Sequence, residues 1–265
     1  MKIFIFADGK VAEEVIKFLK INNEEIVGII LHSPSKQNNT KQILDIVDLP
    51  KENIFIWGEL SEEELCKKIN ELNPDIGLSI FWTYILPQNI FKLFEKGCIN
   101  FHCSYLPYNR GKNPNVWPIV ENTPAGITLH YIDEGIDTGS IISQERINVE
   151  PIDTAKDLYE KLINSFIFLF KKTWPNIKND NVNPLKQNEA NATFHLAKDL
   201  KKLDKIDLNK KYYPLELINI IRSRTFRPHS SAYFIQNDKK IKGKRLVENH
   251  GFSDKRTLCS EREVI

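Results

Sequence analysis

The sequence has no long apolar run and no block of like charge. Its N-terminal apolar stretch ends at residues 7–9, which is too short for a secretory signal, and no later stretch approaches the length of a membrane span. The net charge is only +2, with basic and acidic residues interspersed. These absences argue against a membrane protein and an electrostatic nucleic-acid binder, and they favour a cytoplasmic protein.

Cysteine and glycine motifs are also scarce. The cysteines, Cys66, Cys98, Cys103 and Cys259, show no CxxC spacing, which argues against a disulfide framework or a zinc site and fits a reducing compartment. No GxGxxG follows the first strand candidate, so a dinucleotide site is not expected there. No GxSxG elbow occurs either, so a covalent enzyme intermediate is not required.

What the sequence does contain is an alternation of short apolar, β-rich runs and amphipathic stretches. Strands are predicted at residues 2–6, 25–31, 53–57, 76–81, 97–101, 125–132 and 140–149. Helices are predicted at residues 11–19, 61–72, 115–121, 154–172 and 214–224, with a capping box in SEEEL at the start of the second. A hairpin with its turn near Asn237 and Asp238 follows.

This order of elements predicts an α/β fold. We expect a Rossmann-like, mostly parallel sheet with helices on both faces, followed by a small C-terminal region that ends in a β-hairpin. A change of composition near residue 185 divides the chain into a catalytic domain, residues 1–184, and a C-terminal region, residues 185–265. The length of 265 residues suits one large domain and one smaller one.

The strongest functional signal lies in residues 98–142. Asn100 and His102 are two positions apart at the end of a predicted strand, so their side chains point to the same face. Asp137 follows in a glycine-flanked loop between two strands. Sites in open α/β sheets gather beyond the carboxyl ends of the strands, where these residues are expected. His130, inside an apolar strand, is expected to pack in the core.

These three residue types suit the transfer of a formyl group to an amine. A neutral His102 can take a proton from the attacking amine. Asn100 can donate an amide N–H to the oxyanion that develops on the formyl group. Asp137 can orient His102 and stabilise its protonated form.

The pattern Asn-Phe-His-x-Ser-x-Leu-Pro, followed by Arg-Gly and then Asp-x-Gly-x-Asp-Thr-Gly, resembles the folate-dependent formyltransferases. The resemblance covers roughly residues 1–175 and assigns catalysis to the trio above, with N10-formyltetrahydrofolate as donor. It also implies that the segment FWTYILP and the later glycine loop bind the pteridine. The implied folate-binding residues are Phe81, Trp82, Tyr84, Ile85, Leu86 and Asp133.

Finer features resemble the sugar N-formyltransferases, which act on nucleotide-linked amino sugars. The segments concerned are residues 110–118, 199–209 and 221–234. The resemblance implies dTDP-4-amino-4,6-dideoxyglucose as the acceptor, for surface polysaccharide (O-antigen) biosynthesis. The implied sugar nucleotide-binding residues are Ser104, Tyr105, Arg110, Lys112, Asn113, Arg222, Phe226 and Tyr233.

Several alternatives stay open at this point. The acceptor can be another amino sugar, dTDP-3-amino or GDP-linked, or it can be methionyl-tRNA. The chain can also be a folate- or nucleotide-binding protein without catalysis. Residues 227–231 depart from a Pro-aromatic-Pro-Gly run of the family, which leaves the nucleotide contacts open. A homodimer is expected, because a C-terminal hairpin can pair two subunits across an edge.

Overall fold

The computed structural model describes residues 1–226 and 231–242 of the chain. Its strands, in chain order, are β1 Lys2–Ala7, β2 Glu25–Leu31, β3 Ile54–Ile56, β4 Ile76–Ile80, β5 Cys98–His102, β6 Arg110–Gly111, β7 Ala125–Tyr131, β8 Ile141–Ile147, β9 Phe194–His195, β10 Tyr233–Gln236 and β11 Lys239–Lys242. Its α-helices are α1 Gly9–Ile21, α2 Thr40–Val47, α3 Glu62–Leu72, α4 Gln88–Phe91, α5 Trp117–Glu121, α6 Ala155–Lys178, α7 Ala197–Asp204 and α8 Pro214–Ser223.

A seven-stranded sheet forms the centre of the fold, in the order β3-β2-β1-β4-β5-β7-β8. Strands β1 to β5 run parallel to one another, while β7 is antiparallel to β5 and β8 is antiparallel to β7. The predicted mostly parallel α/β sheet is therefore confirmed. The chain moves outward from β1 in one direction to β2 and β3, and in the other to β4 and β5, as in doubly wound folds.

The side chains of β1 show why helices cover both faces of the sheet. Ile3 and Ile5 pack in an apolar cluster with α1 and α6, whereas Phe4 and Phe6 pack in a second cluster with α3 and α4. All four side chains are fully buried. Because successive strand residues point to opposite faces, a strand that is apolar at every position needs cover on both.

Reciprocal side-chain bonds fix where α3 and α6 begin. Ser61 accepts a hydrogen bond from the N–H of Glu64, whose carboxylate accepts one from the N–H of Ser61. Thr154 and Asp157 make the same pair at the start of α6. The capping box predicted from SEEEL is therefore present.

Helix α6 is longer than predicted. The prediction ends at residue 172, whereas the helix continues to Lys178 with Pro175 inside it. Proline lacks an N–H and removes one helical hydrogen bond. Trp174 and Ile177 are nonetheless buried, so the apolar stripe continues past the proline, and this burial offsets the lost bond.

Helices α2 and α7 and the pairing of β6 with β9 are not predicted from the sequence. Each of the two helices has only eight residues, about two turns, which is too short for an apolar period to stand out in the sequence. Strands β6 and β9 have two residues each, and they pair in parallel although they lie far apart in the sequence. Such a long-range pairing has no local sequence signal.

The C-terminal hairpin lies where the sequence predicts it. Strands β10 and β11 pair antiparallel, and Asn237 and Asp238 between them have φ of 49° and 57°. Two successive left-handed residues form the two-residue turn that suits the twist of a hairpin. No helix in the two described ranges is long and apolar enough to cross a membrane.

The segment that follows α6 stays close to the main sheet. Leu185 bridges to Ile141 of β8, and β9 pairs with β6. Contacts therefore cross the boundary proposed near residue 185, and that boundary stays a prediction.

Candidate active site

A cleft of about 400 Å³ opens at the carboxyl ends of β4 and β5. The predicted site residues that line it are Trp82, Tyr84, Ile85, Leu86, Asn100, His102, Lys112, Asp133 and Asp137. Residues that line it without having been assigned to the site include Ser79, His130, Ile132, Ile136, Phe194 and His195. The cleft therefore joins the predicted catalytic trio to most of the predicted folate segment.

Strand register builds a polar row across the floor of the cleft. Asn100 of β5 lies opposite Ser79 of β4 and opposite His130 of β7. Ser79 Oγ donates to Asn100 Oδ1 at 3.0 Å, and Asn100 Nδ2 lies 3.2 Å from His130 Nε2. Since His130 Nδ1 lies 2.8 Å from the carbonyl oxygen of Tyr131, the ring proton belongs on Nδ1, and Nε2 accepts from Asn100.

The carboxylate of Asp137 lies next to three other groups of the site. Its Oδ1 lies 3.4 Å from both His102 Nδ1 and Asn100 Nδ2. Its Oδ2 accepts the N–H of Gly111 at 2.8 Å. Burial alone would raise the pKa of Asp137, but the interactions with His102, His130 and Gly111 outweigh it and hold that pKa well below its usual range. Asp137 is therefore ionised at neutral pH.

Both ring nitrogens of His102 face oxygen acceptors. Nδ1 faces Asp137 at 3.4 Å, and Nε2 lies 3.3 Å from the carbonyl oxygen of Asn109. Burial lowers the pKa of His102, with the Asp137 carboxylate opposing that shift. A neutral ring has one N–H and can donate to only one of these oxygens, whereas the protonated ring donates to both. The ring is thus neutral at rest and is placed to stabilise a proton that it receives.

The loop of Asp137 has a constrained backbone. Asp137 itself has φ of 56°, in the left-handed region that few residues other than glycine, asparagine and aspartate adopt. A Cβ on Gly139 would lie 1.7 Å from the carbonyl oxygen of Tyr131, so only glycine fits there. Asp133 Oδ1 accepts from the N–H of Gly135 and from the Thr138 hydroxyl, which closes the loop on itself.

The opposite wall of the cleft is aromatic and apolar. Trp82 stacks on His32 with ring centroids 4.1 Å apart, and Tyr84 stacks on Trp57 at 5.5 Å. Leu86, Ile132 and Ile136 add aliphatic surface, and the peptide groups of the Asp137 loop add polar edges. A flat heterocycle with polar edges, such as a pterin, fits a slot of this composition.

Four predicted ligand-binding residues near the cleft lie outside it. Phe81 has φ of 55°, which turns its ring to the other face of the sheet, against Phe166 at 5.5 Å. Ser104 is fully buried, and Tyr105 packs against the backbone of β7. The fourth, Asn113, adopts a left-handed conformation ahead of α5.

Two arginines predicted to bind the sugar nucleotide have hydrogen-bond partners within the protein. Arg110 is 5% exposed, and its guanidinium donates to Gln187 and Glu189. Arg222 is buried, and it donates to the backbone carbonyls of Glu150 and Asp153, which attaches α8 to the loop before α6. Both guanidinium groups thus have the internal partners that burial requires, and their binding to the sugar nucleotide stays a prediction.

The remaining predictions in the C-terminal region also lie away from the cleft. Phe226 packs on Tyr159 at 5.5 Å, and Tyr233 lies under Lys240 in the hairpin. Residues 227–230, where the chain departs from the family run, lie outside the described residues.

Two site residues escape the sequence analysis for different reasons. His130 is buried as expected, but its ring also contacts Asn100, which only the register of β5 and β7 reveals. His195 stacks on Trp117 at 3.8 Å and reaches the cleft through the pairing of β9 with β6. Neither contact is visible in local sequence.

Residues 1–165 match the family described as Formyl transferase, and residues 199–242 match a family described as N-formyltransferase dimerization C-terminal domain. This chain belongs to the formyl transferase family. The methionyl-tRNA formyltransferase of Clostridioides difficile (strain 630) is 30% identical over 244 residues, which cover 90% of this chain and 77% of that protein.

Solved structures similar to this chain include sugar N-formyltransferases. A 4-N formyltransferase from Francisella tularensis has a TM-score of 0.77 at 26% identity, covering 94% of this chain and 98% of that one. WlaRD, a sugar 3N-formyl transferase crystallised with dTDP and 5-N-formyl-THF, has a TM-score of 0.70 at 27% identity, covering 91% and 84%. The predicted resemblance to the formyltransferases and their sugar subgroup is confirmed.

Proposed function

We propose that this chain transfers a formyl group from N10-formyltetrahydrofolate to the amine of a nucleotide-linked amino sugar. The observation that carries the proposal is the meeting of a neutral imidazole, an ionised carboxylate and an amide on the floor of a cleft with an aromatic wall. The structural similarity to the 4-N enzyme and to WlaRD supports a sugar amine as acceptor.

The cleft fits a reduced folate. Trp82, Leu86 and Ile132 present apolar faces for a pterin ring, and the backbone of the loop from Asp133 to Asp137 can bond its polar edge. When bound there, the folate supplies the formyl group. That WlaRD was crystallised with 5-N-formyl-THF supports this cofactor.

His102 acts as the general base in this proposal. Nε2 keeps its proton and donates it in a hydrogen bond to the carbonyl oxygen of Asn109, which leaves Nδ1 to accept a proton from the sugar amine as it attacks. The new Nδ1–H then faces Asp137, whose ionised carboxylate stabilises the imidazolium. When the bond between the formyl carbon and N10 of the folate breaks, the imidazolium gives this proton to N10, so that the N-formyl sugar and tetrahydrofolate leave and His102 is neutral again. Asn100 Nδ2, whose contact with Asp137 is long at 3.4 Å, can donate an N–H to the negative charge that develops on the formyl oxygen.

For the acceptor we propose dTDP-4-amino-4,6-dideoxyglucose, used for surface polysaccharides such as O-antigen. The test is a mass-spectrometric screen with N10-formyltetrahydrofolate and a panel of dTDP-4-amino, dTDP-3-amino, UDP- and GDP-linked amino sugars. We expect one formyl group to be added to the dTDP-4-amino sugar, with tetrahydrofolate released in equal amount. Efficient formylation of another sugar would keep the reaction class but refute the acceptor. Folate binding without release in every arm would indicate a binding protein.

Methionyl-tRNA is the second candidate acceptor, because of the 30% identity to the Clostridioides difficile enzyme. Methionyl-tRNA therefore forms one arm of the same screen. Its binding should weaken steeply with salt if it is a substrate, since tRNA contacts release counterions.

We also propose a homodimer formed through the C-terminal region. Helix α8 exposes Leu215 at 62% and Ile218 at 53%, and the match to a dimerization domain covers this helix and the hairpin. Light scattering should give a mass near twice 30.8 kDa, and Ile218→Asp should shift the protein to the monomer.

A further inference from the structure

Gln187 is buried beside the loop that carries the catalytic carboxylate. It lies between the two segments that match the family descriptions, and its side chain is 5% exposed. Its Nε2 donates to the backbone carbonyl oxygens of Asp137 and Gly139, both at 2.8 Å. One amide group therefore holds the loop on both sides of Thr138.

The other end of the Gln187 amide is fixed by Arg110. Oε1 accepts from Arg110 Nε at 3.1 Å and from Nη2 at 2.8 Å. Guanidinium groups only donate and carbonyl oxygens only accept, so the orientation of the amide is determined by its partners. Glu189 accepts from Arg110 at 2.9 and 2.7 Å and compensates its buried charge.

We propose that Gln187 is a positioning residue for formyl transfer, held by Arg110 and acting through the backbone of Asp137. This inference rests on the proposed function. Gly111 binds the carboxylate of Asp137, and Asp133 closes the far side of the loop. Gln187 holds the backbone at Asp137 itself, where φ is 56°, and so keeps Oδ1 within 3.4 Å of His102 Nδ1.

The first test replaces the amide with an apolar side chain of similar length, Gln187→Met. Because a displacement of about 1 Å in a catalytic group can cost about 100-fold, we expect kcat to fall by roughly 10- to 100-fold. The KM values for both substrates should change by less than about threefold, since neither substrate touches Gln187 in this proposal. A kcat within about twofold of wild type would overturn the inference.

A matched control is Gln144→Met. Gln144 is half-buried in β8, and its Nε2 donates to the carbonyl oxygen of Leu106 at 3.0 Å. Like Gln187, it therefore links two segments of the backbone through its side chain, but it does not contact the Asp137 loop. We expect a similar loss of thermal stability with kcat nearly unchanged. If Gln187→Met does not fold, Gln187→Glu serves instead, because it keeps an acceptor for Arg110 and replaces the donor to the loop with a carboxylate oxygen, which the carbonyl oxygens of Asp137 and Gly139 repel.

A double-mutant cycle separates positioning from general damage. If Gln187 acts through Asp137, then Gln187→Met should lower kcat little further in an Asp137→Asn background. Full additivity of the two losses would contradict the inference.

A measurement without turnover distinguishes failure of this inference from failure of the proposed function. The titration of His102, followed by NMR, should move to lower pH in Gln187→Met, because the carboxylate that favours the protonated ring is no longer held beside it. If wild type formylates none of the acceptors, the proposed function fails. The titration then still decides the role of Gln187: a shift supports it and an unchanged curve refutes it.

Discussion

The two walls of the cleft are held by different kinds of interaction. On the catalytic wall, Asp137, Asn100 and His102 are linked by directional contacts of 3.4 Å that originate in β5 and the glycine loop. On the aromatic wall, Trp82 and Tyr84 are held by ring stacking at 4.1 and 5.5 Å. Hydrogen-bond geometry tolerates little displacement, whereas stacked rings can slide. Changes on the catalytic wall should therefore reduce kcat, and changes on the aromatic wall should weaken folate binding.

The largest effect is expected for His102→Asn. The substitution removes the proton acceptor that faces the Asp137 carboxylate, and loss of a general base lowers kcat by roughly 100- to 10,000-fold. Steady-state kinetics with the accepted amino sugar measure this loss. Calorimetry should show that sugar nucleotide still binds, because the other residues that line the cleft are unchanged. Near-wild-type kcat would refute the role of His102.

A somewhat smaller effect is expected for Asn100→Ala. Removal of one oxyanion donor costs roughly 100- to 1,000-fold in kcat with little change in KM. Ser79→Ala is the matched comparison, because Ser79 Oγ only orients Asn100 through Oδ1 at 3.0 Å. It should lower kcat less than Asn100→Ala does. Equal losses in kcat would mean that the polar row of Ser79, Asn100 and His130 acts through packing and that Asn100 has no donor role.

How much of the site could be predicted depends on whether a residue belongs to a local sequence pattern. Asn100, His102 and Asp137 lie in local patterns, a strand end and a glycine loop, and the structure brings them together. His130 and Gln187 reach them only through strand pairing and a contact across 50 residues. Local sequence carries no information about such pairings.

The arginines show what local sequence does not reveal about burial. Arg110 and Arg222 are both predicted to bind the sugar nucleotide, and cationic side chains suit phosphate oxygens. Both side chains are buried, and a guanidinium removed from water must bond internal acceptors, here Gln187 and Glu189 for Arg110. The fold was easier to predict from the sequence than these contacts, because strands such as β2 and β4 are short apolar runs with clear boundaries.

On the aromatic wall, Trp82→Leu should raise the Kd for folate with little change in kcat. Aromatic contacts are worth about 0.5–1.5 kcal/mol beyond buried area, which corresponds to a rise of up to about tenfold. Trp57→Leu is the matched control, because Trp57 supports Tyr84 by stacking but does not line the cleft. Its effect on folate binding should be smaller. A large fall in kcat for Trp82→Leu, with unchanged Kd, would break the proposed division between the walls.

The smallest effect is expected at Lys112, which links the two walls. Its Nζ donates to the carbonyl oxygen of Thr83 at 2.9 Å, and among the predicted nucleotide contacts in the described ranges it is the cation that lines the cleft. Because the side chain is exposed, its contact with a diphosphate is screened and worth about 1 kcal/mol, so Lys112→Met should raise the KM for sugar nucleotide about fivefold. Lys68→Met, on the exposed face of α3, is the control for loss of one positive charge. If the KM for folate rises instead, Lys112 serves the aromatic wall through Thr83 and does not contact the nucleotide. Added salt separates these outcomes, because only a phosphate contact should make the difference between wild type and Lys112→Met shrink as ionic strength rises.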